Sequence, residues 1–363
     1  MNALELHDFH NRLGASFCAV NECEAVTDYG DALAEHTALL EKAGVLDLSS
    51  RGRLCLTGND RIRFLHGQVT NDIKSLLPNT GCYAVLVTAK GRIQSDLNVY
   101  NLGDELLLDL EPGLTTTVSQ RLENFIVADD VQVVDVASLY GLLSVQGPGA
   151  RKVINALALF ADMPGERFSV ASVKDATLGE VYLINQPRLA SIGYDVLVPV
   201  GCLSAVFDRM IAGAKSIGGR ACGWSALETV RVEAGIPRFG VDMDETNFPQ
   251  ESGIESRAVS FTKGCYIGQE VLNRVHTMGH VNRHLQGLRL RGPLKSLPMK
   301  GDKLFHNGRE AGNITSAIFS PALGANIALG YVAKQANQLG TELRMRSAGV
   351  ETPVEIVELP FRK

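Results

Sequence analysis

The sequence contains no uncharged apolar run approaching the roughly 18–20 residues needed to cross a bilayer. Its start, MNALELHDFHNRLG, lacks the apolar core of a secretory leader. A cytoplasmic protein with no membrane segment is expected. CxxC pairs are also absent, and the seven cysteines (Cys18, Cys23, Cys55, Cys82, Cys202, Cys222 and Cys265) are scattered and odd in number. That excludes a disulfide framework and a zinc ribbon and points to reduced thiols. No GxxxxGK[ST], no GxGxxG after a strand, no HExxH and no GxSxG occurs, which argues against nucleotide hydrolysis, Rossmann redox chemistry and zinc proteolysis. With one Trp, 45% hydrophobic and 21% charged residues, the chain is neither disordered, collagenous nor coiled coil. Its 363 residues suffice for two or three packed units.

What is present is a charge split. The formal net charge of −5 argues against a general nucleic-acid coat and makes direct nucleic-acid binding an unexpected function. Residues 276–363 carry +6, which leaves −11 on residues 1–275, and four of the eight histidines (His276, His280, His284 and His306) fall in the basic end.

The first 45 residues read as helical around DALAEHTALLEKAG, with Gly44 as a C-terminal stop. From Val45, apolar alternation gives strands at RLCLTG, YAVLVTA, RIQSDLNVY, ELLLDLE and VQVVDV, with helices near DRIRFLHGQ and GLTTTVSQRLENFIV. In the latter Leu114, Val118, Leu122 and Phe125 share a side. A second set follows: LYGLLSVQG, a helix in PGARKVINALALF, EVYLIN, GYDVLVPV, and helices in CLSAVFDRMIAGA and GWSALETVRVEAG. Beyond about residue 280, short strands with frequent Gly and Pro indicate a small antiparallel barrel. The expected fold class is α+β, with a body at 1–275 of two intertwined α+β units and a C-terminal β-barrel at 276–363.

Five places could carry chemistry. In RIQSDLNVY, alternation puts Asp96 and Tyr100 on one face, either a solvated outer face or the lining of a polar pocket. Asp195, in an apolar strand, must face water or have a partner, because an unpaired buried carboxylate is very costly. Arg231 and Glu233 raise the same question on a helix. In FTKGCYIGQEV, Lys263 lies two residues from Cys265, which is either a reactive thiolate or a small buried hydrophobe beside a glycine turn. The i, i+4, i+8 spacing of His276, His280 and His284 would align metal ligands on a helix, but Gly279 counts against one and no metal site is assigned. Arg274 and Arg283 make this junction basic, suited to something anionic.

Two stretches are distinctive together: GVLDLSSRGRLCLTGNDRIRFLHGQVTND (Gly44 to Asp72) and KGCYIGQEV (Lys263 to Val271). On these the chain resembles the YgfZ-type folate-binding family, relatives of the glycine cleavage T-protein (aminomethyltransferase), over nearly its whole length. The cysteine in the second stretch favours the YgfZ-like branch. The resemblance implies three units around a central opening holding tetrahydrofolate, with Asp96, Tyr100, Asp195 and Arg231 as its ligands. Asp195 stands where T-proteins have a Glu that reads the pterin, and the tyrosine they place shortly before that Glu has no counterpart in NQPRLASIGYD. It further implies an accessory protein that supports iron–sulfur cluster assembly or repair and hence tRNA-modifying enzymes. Folate, in polyglutamyl form among others, and iron–sulfur assembly factors or client proteins would be its partners. Cys265 would be its functional thiol. The alternative is a tetrahydrofolate-dependent aminomethyltransferase or other one-carbon transferase, with Asp96 as the working carboxylate.

Overall fold

Alternation of apolar residues along the strands between residues 44 and 221 builds two sheets whose order explains where the charged residues end up. The structure, a computed structural model, describes residues 2–362 except Ala190, His280, Pro293, Lys295, Ala348 and Gly349. His280 of the histidine series therefore lies outside the described residues. Contacts divide the chain into two units, residues 1–84 with 96–230, and residues 85–95 with 231–363.

In the first unit a six-stranded sheet runs Val170–Asp175, Gly179–Asn185, Gly193–Pro199, Tyr140–Gln146, Gly44–Asp47 and Arg220–Ala221. A five-stranded sheet, of which residues 85–87 and 93–95 are grouped with the second unit, runs Thr80–Val87, Ile93–Asn101, Leu106–Leu110, Gly52–Thr57 and Gln132–Asp135. One core packs helices Ala150–Leu157 and Leu203–Lys215 on the six-stranded sheet through Val153, Ile154, Leu157, Val206, Phe207 and Met210, against Val145, Val196 and Val198. A second core joins inner-face residues of both sheets, among them Leu46, Leu142, Ile184 and Leu197 from one and Cys55, Tyr100 and Leu107 from the other. At about 25 cal/mol per Å2 of apolar area removed from water, cores of this kind are the main favourable term in folding.

Three expectations change here. Residues 1–45 are not one helical lead-in, because the hairpin Ser16–Val20 and Cys23–Asp28 lies between the helices His7–Arg12 and Ala32–Glu41. Asp31 caps the second helix by accepting from the Ala34 N–H at 3.0 Å. Gly44 opens a fully buried strand rather than closing the helix; a Cβ there would lie 2.4 Å from Leu39 and 2.8 Å from the Cys222 sulfur. In the helix Thr115–Glu123, Val118 and Leu122 are buried as expected, but Phe125 lies past its end, exposed beneath the Arg121 guanidinium.

In the second unit, six strands (Arg283–Leu290, Ala325–Ala333, Arg309–Ser320, Lys303–His306, Glu342–Ser347 and Val350–Val357) close into a barrel. Leu288, Leu304, Ile314, Val332, Leu343 and Ile356 fill it. Closure gives each of these strands a neighbour on both sides, which among the described residues leaves no open barrel edge. The α+β class with a small C-terminal barrel, read from the sequence, is the architecture present.

Candidate active site

Strand register delivers the charged groups of the first unit to one layer. Asn98 pairs with Asp109, and Tyr100 with Leu107, across neighbouring strands. Arg53 pairs with Asp109, and Cys55 with Leu107, on the other side. Because side chains alternate with period two, Asp96, Asn98 and Tyr100 share the face of Leu107, Asp109 and Cys55, which is the face packed toward the six-stranded sheet. On that second sheet Asp195 pairs with Ser144, and Leu197 with Leu142. The layer between the sheets thus runs from leucines to a cluster of acids and arginines.

Alternation in RIQSDLNVY was legible, but its polar face is not a solvated one: Asn98 and Tyr100 are buried. The Tyr83 hydroxyl donates to Asp96 Oδ2 at 2.8 Å. Burial first, then the negative charge of Glu111, raises the Asp96 carboxyl to about 6, against the opposing pull of Tyr83 and Arg51. Arg51 donates from Nε to Asp109 Oδ1 at 2.6 Å and from Nη1 to Glu111 Oε1 at 2.5 Å. Asp109 also accepts from Asn98 Nδ2 at 2.8 Å and from Arg188 Nη2 at 2.9 Å. Burial pushes the Asp109 carboxyl up, but the two arginines outweigh it and hold it well below the usual carboxylate range.

Asp195 is buried with a partner, which resolves the dilemma it posed. Arg188 donates to it from Nε at 3.2 and 3.0 Å and from Nη2 at 2.6 Å. Even so, burial raises the Asp195 carboxyl above its ordinary value, while its two acidic neighbours overcome burial to keep Arg188 charged. Tyr100 Oη and Gln186 Oε1 are buried with no hydrogen-bond partner among the described residues. Burial and then the charges of Asp109 and Asp195 hold the Tyr100 phenol protonated.

Asp96, Tyr100 and Asp195 are therefore brought into the first unit's ionic layer together. Arg51, Asp109, Glu111 and Arg188 belong to it and were missed. Asp109 and Glu111, acids in the apolar strand ELLLDLE, gave the one signal that could have found them.

Arg231 lies in the second unit. It donates to Asp242 Oδ2 at 2.6 Å, the Ile236 carbonyl at 3.2 Å and Ser316 Oγ at 2.9 Å. Asp242 also accepts from Thr315 and Ser316, so this cluster ties the end of helix Trp224–Glu233 to the barrel. Glu233 accepts from Ser320 Oγ at 2.5 Å.

Cys265 is exposed, on the loop before helix Gln269–Met278. Gly268 starts that helix at φ +82°, where a Cβ would lie 2.5 Å from the Thr88 carbonyl. Lys263 is buried with its ammonium 4.8 Å from the Tyr266 ring centroid. The helix stops at Gly279, so His276 and His284 do not share it. His276 stacks on Phe261 and pairs with Glu255, while His284 sits on the first barrel strand. Arg274 pairs with Glu270, and Arg283 pairs with Glu251 and lies over the Tyr331 ring, so the expected basic junction is largely neutralised by its own acids.

The GCVT N-terminal domain matches residues 6–263, and the glycine cleavage T-protein C-terminal barrel domain matches residues 283–363. The chain belongs to the glycine cleavage T-protein family. It is 28% identical over 355 residues to the aminomethyltransferase of Thermosynechococcus vestitus, covering 96% of this chain and 92% of that protein. The Bacillus subtilis aminomethyltransferase is 26% identical over 361 residues, covering 99% and 98%. In fold the chain is similar to the glycine cleavage system aminomethyltransferase T of Bartonella henselae, with a TM-score of 0.89 at 22% identity over 99% of this chain and 98% of that one.

These full-length T-protein relatives, named as transferases, correct the leading functional expectation. The accessory role in iron–sulfur cluster maturation, read from the Lys263–Glu270 signature, is overturned. Iron–sulfur partners and a link to tRNA modification lose their support with it. Tetrahydrofolate, expected from the resemblance, is the cofactor of the family that the chain belongs to. Among the described residues, no helix is long and apolar enough to cross a membrane.

Proposed function

We propose that this protein is a tetrahydrofolate-dependent aminomethyltransferase. The observation that carries the reading is Asp96, held by the Tyr83 hydroxyl at 2.8 Å and raised to about 6 by burial and Glu111, in a chain whose family relatives are aminomethyltransferases. The donor set suits a folate: Tyr100 Oη and Gln186 Oε1 are buried polar atoms awaiting a partner, and Asp195 is a carboxylate of the kind that reads an amino-pyrimidine edge. When bound, tetrahydrofolate supplies the nitrogen that receives the one-carbon group.

The chain's own residues hold it and manage the proton. Asp96, deprotonated above about pH 6, would take up a proton released from a bound folate's nitrogen. Tyr83 fixes the orientation of that carboxylate, and Glu111 keeps it basic. Tyr100 would donate to the ligand, and Arg231 is assigned an indirect part, organising the second unit through Asp242. Cys265 is assigned as the accessible thiol, outside the proton step. Placement in the YgfZ-type branch rests on the Lys263–Glu270 signature alone and carries no accessory role with it.

The experiment is turnover with tetrahydrofolate and an aminomethyl donor, following one-carbon folate product. Asp96→Asn should retain folate binding and lose on the order of 100-fold or more in rate, the scale of a general base. Tight folate binding by the wild-type protein without turnover would overturn the enzyme assignment.

A further inference from the structure

A carboxylate has about four acceptor sites, and the donors that Asp195 meets belong to the Arg188 guanidinium. Arg188 reaches both oxygens, with Nε at 3.2 Å from Oδ1 and 3.0 Å from Oδ2 and Nη2 at 2.6 Å from Oδ2. The 2-amino-4-oxo-pyrimidine edge of a pterin carries an N–H beside an NH2, the same parallel pair of donors that a guanidinium presents. Asp195 can hold one such fork at a time.

Arg188 has somewhere else to go, because its Nη2 also donates to Asp109 Oδ2 at 2.9 Å. Its backbone does not need to move with it. The Arg188 N–H donates to Gln146 Oε1 at 2.9 Å, and Gln146 Nε2 is tied to Ser144 Oγ at 2.8 Å and the Gln186 carbonyl at 3.0 Å. The strand residue opposite Gln146 is Gly193, where a Cβ would lie 2.0 Å from that same Oε1. The main chain at residue 188 is thus pinned while its side chain keeps two carboxylate anchors. Arg51 also binds Asp109, so Asp109 keeps a cation while Arg188 divides its contacts between the two acids.

We infer that Arg188 is an internal stand-in for the pterin edge: it fills Asp195 in the ligand-free protein and withdraws to Asp109 when the ligand's amino-pyrimidine takes its place. This deepens the folate reading and rests on it. The device answers a physical problem, since a carboxylate buried to read a ligand would otherwise stand uncompensated whenever the ligand is away. It also sets specificity, because only a ligand that offers paired donors can repay the displaced fork.

The test is titration calorimetry of the full chain with tetrahydrofolate, and with the fragments pterin and lumazine, which differ in having a 2-amino or a 2-oxo group. Arg188→Gln removes two contacts to acids from the free state but only the Asp109 contact from the complex. Affinity for tetrahydrofolate and pterin should therefore rise by about fivefold or more, as when any competing conformation is removed. Lumazine affinity should not gain, and the melting temperature of the free protein should fall. Arg188→Lys, which keeps the charge and loses the fork, should show a smaller gain and guards against a variant that does not fold. Unchanged or weakened pterin affinity in both variants, with wild-type binding intact, would overturn the stand-in alone. Absence of tetrahydrofolate binding in wild type and variants alike would overturn the folate reading itself.

Discussion

Asp96 should make the protein less stable while making it active, and the two effects separate with pH. Its carboxyl is raised from an ordinary 3.8 to about 6 by burial and by Glu111. At 1.36 kcal/mol per unit this is at most about 3 kcal/mol against the charged form, and partial exposure of the residue brings a working figure nearer 1–2 kcal/mol. A raised folded-state value means that the group's contribution is fully favourable below the unfolded value near 4 and is lost as pH rises through about 6. Asp96→Asn keeps an oxygen for Tyr83 to donate to and removes the charge. It should therefore raise the melting temperature at pH 8 by roughly 2–8 °C, on the usual scaling for domains of about 200 residues. That gain should shrink to a small remainder at pH 4, where the folded-state carboxyl is neutral. Scanning calorimetry at pH 4, 6 and 8, with the first unit's transition followed, reads this directly. A gain independent of pH, or a loss at pH 8, would refute the account of Asp96 as a desolvated, charge-crowded carboxylate. Glu111→Gln makes the complementary change, moving the acidic limb of the rate profile to lower pH.

Gly193→Ala should displace the Gln146 amide and release the Arg188 backbone, costing about 1–3 kcal/mol in denaturant unfolding, as overpacking does. Arg231→Met should cost about 3 kcal/mol by leaving the Asp242 carboxylate buried without its cation, seen as an earlier melt of the second unit. If that variant instead stays stable and loses affinity for tetrahydrofolate, Arg231 touches the ligand. Limiting iodoacetamide followed by peptide mass spectrometry should label Cys265 first, because it is the one exposed thiol among the seven.

The parts of this molecule that the sequence displayed are those governed by near neighbours along the chain. The helix of DALAEHTALLEKAG, the alternation of RIQSDLNVY and the Gly-punctuated strands of the barrel each follow from local period and turn chemistry. What stayed hidden depends on which face of a strand meets another layer. Alternation places Asp96 and Tyr100 together, yet it cannot tell water from a second sheet, and here the face they share is covered. Gly44 misleads for the same reason: a glycine after a helix reads as a stop, whereas this one is small because Leu39 and Cys222 leave no room for a Cβ.

The ionic layer shows the limit most clearly. Arg188 meets Asp109 across 79 residues and Arg51 meets it across 58, separations with no period to betray them. Only the energetic argument pointed there, since an acid in an apolar strand must have a partner or face water. Applied to Asp195 alone, that argument demanded a cation and did not say which. Applied to Asp109 and Glu111 in ELLLDLE as well, it would have called for several cations in one layer, more than a structural ion pair needs. A buried layer with four acids and two arginines, in which one acid titrates near neutrality, is poorly optimised for stability, and such sites are kept for what they bind and react with.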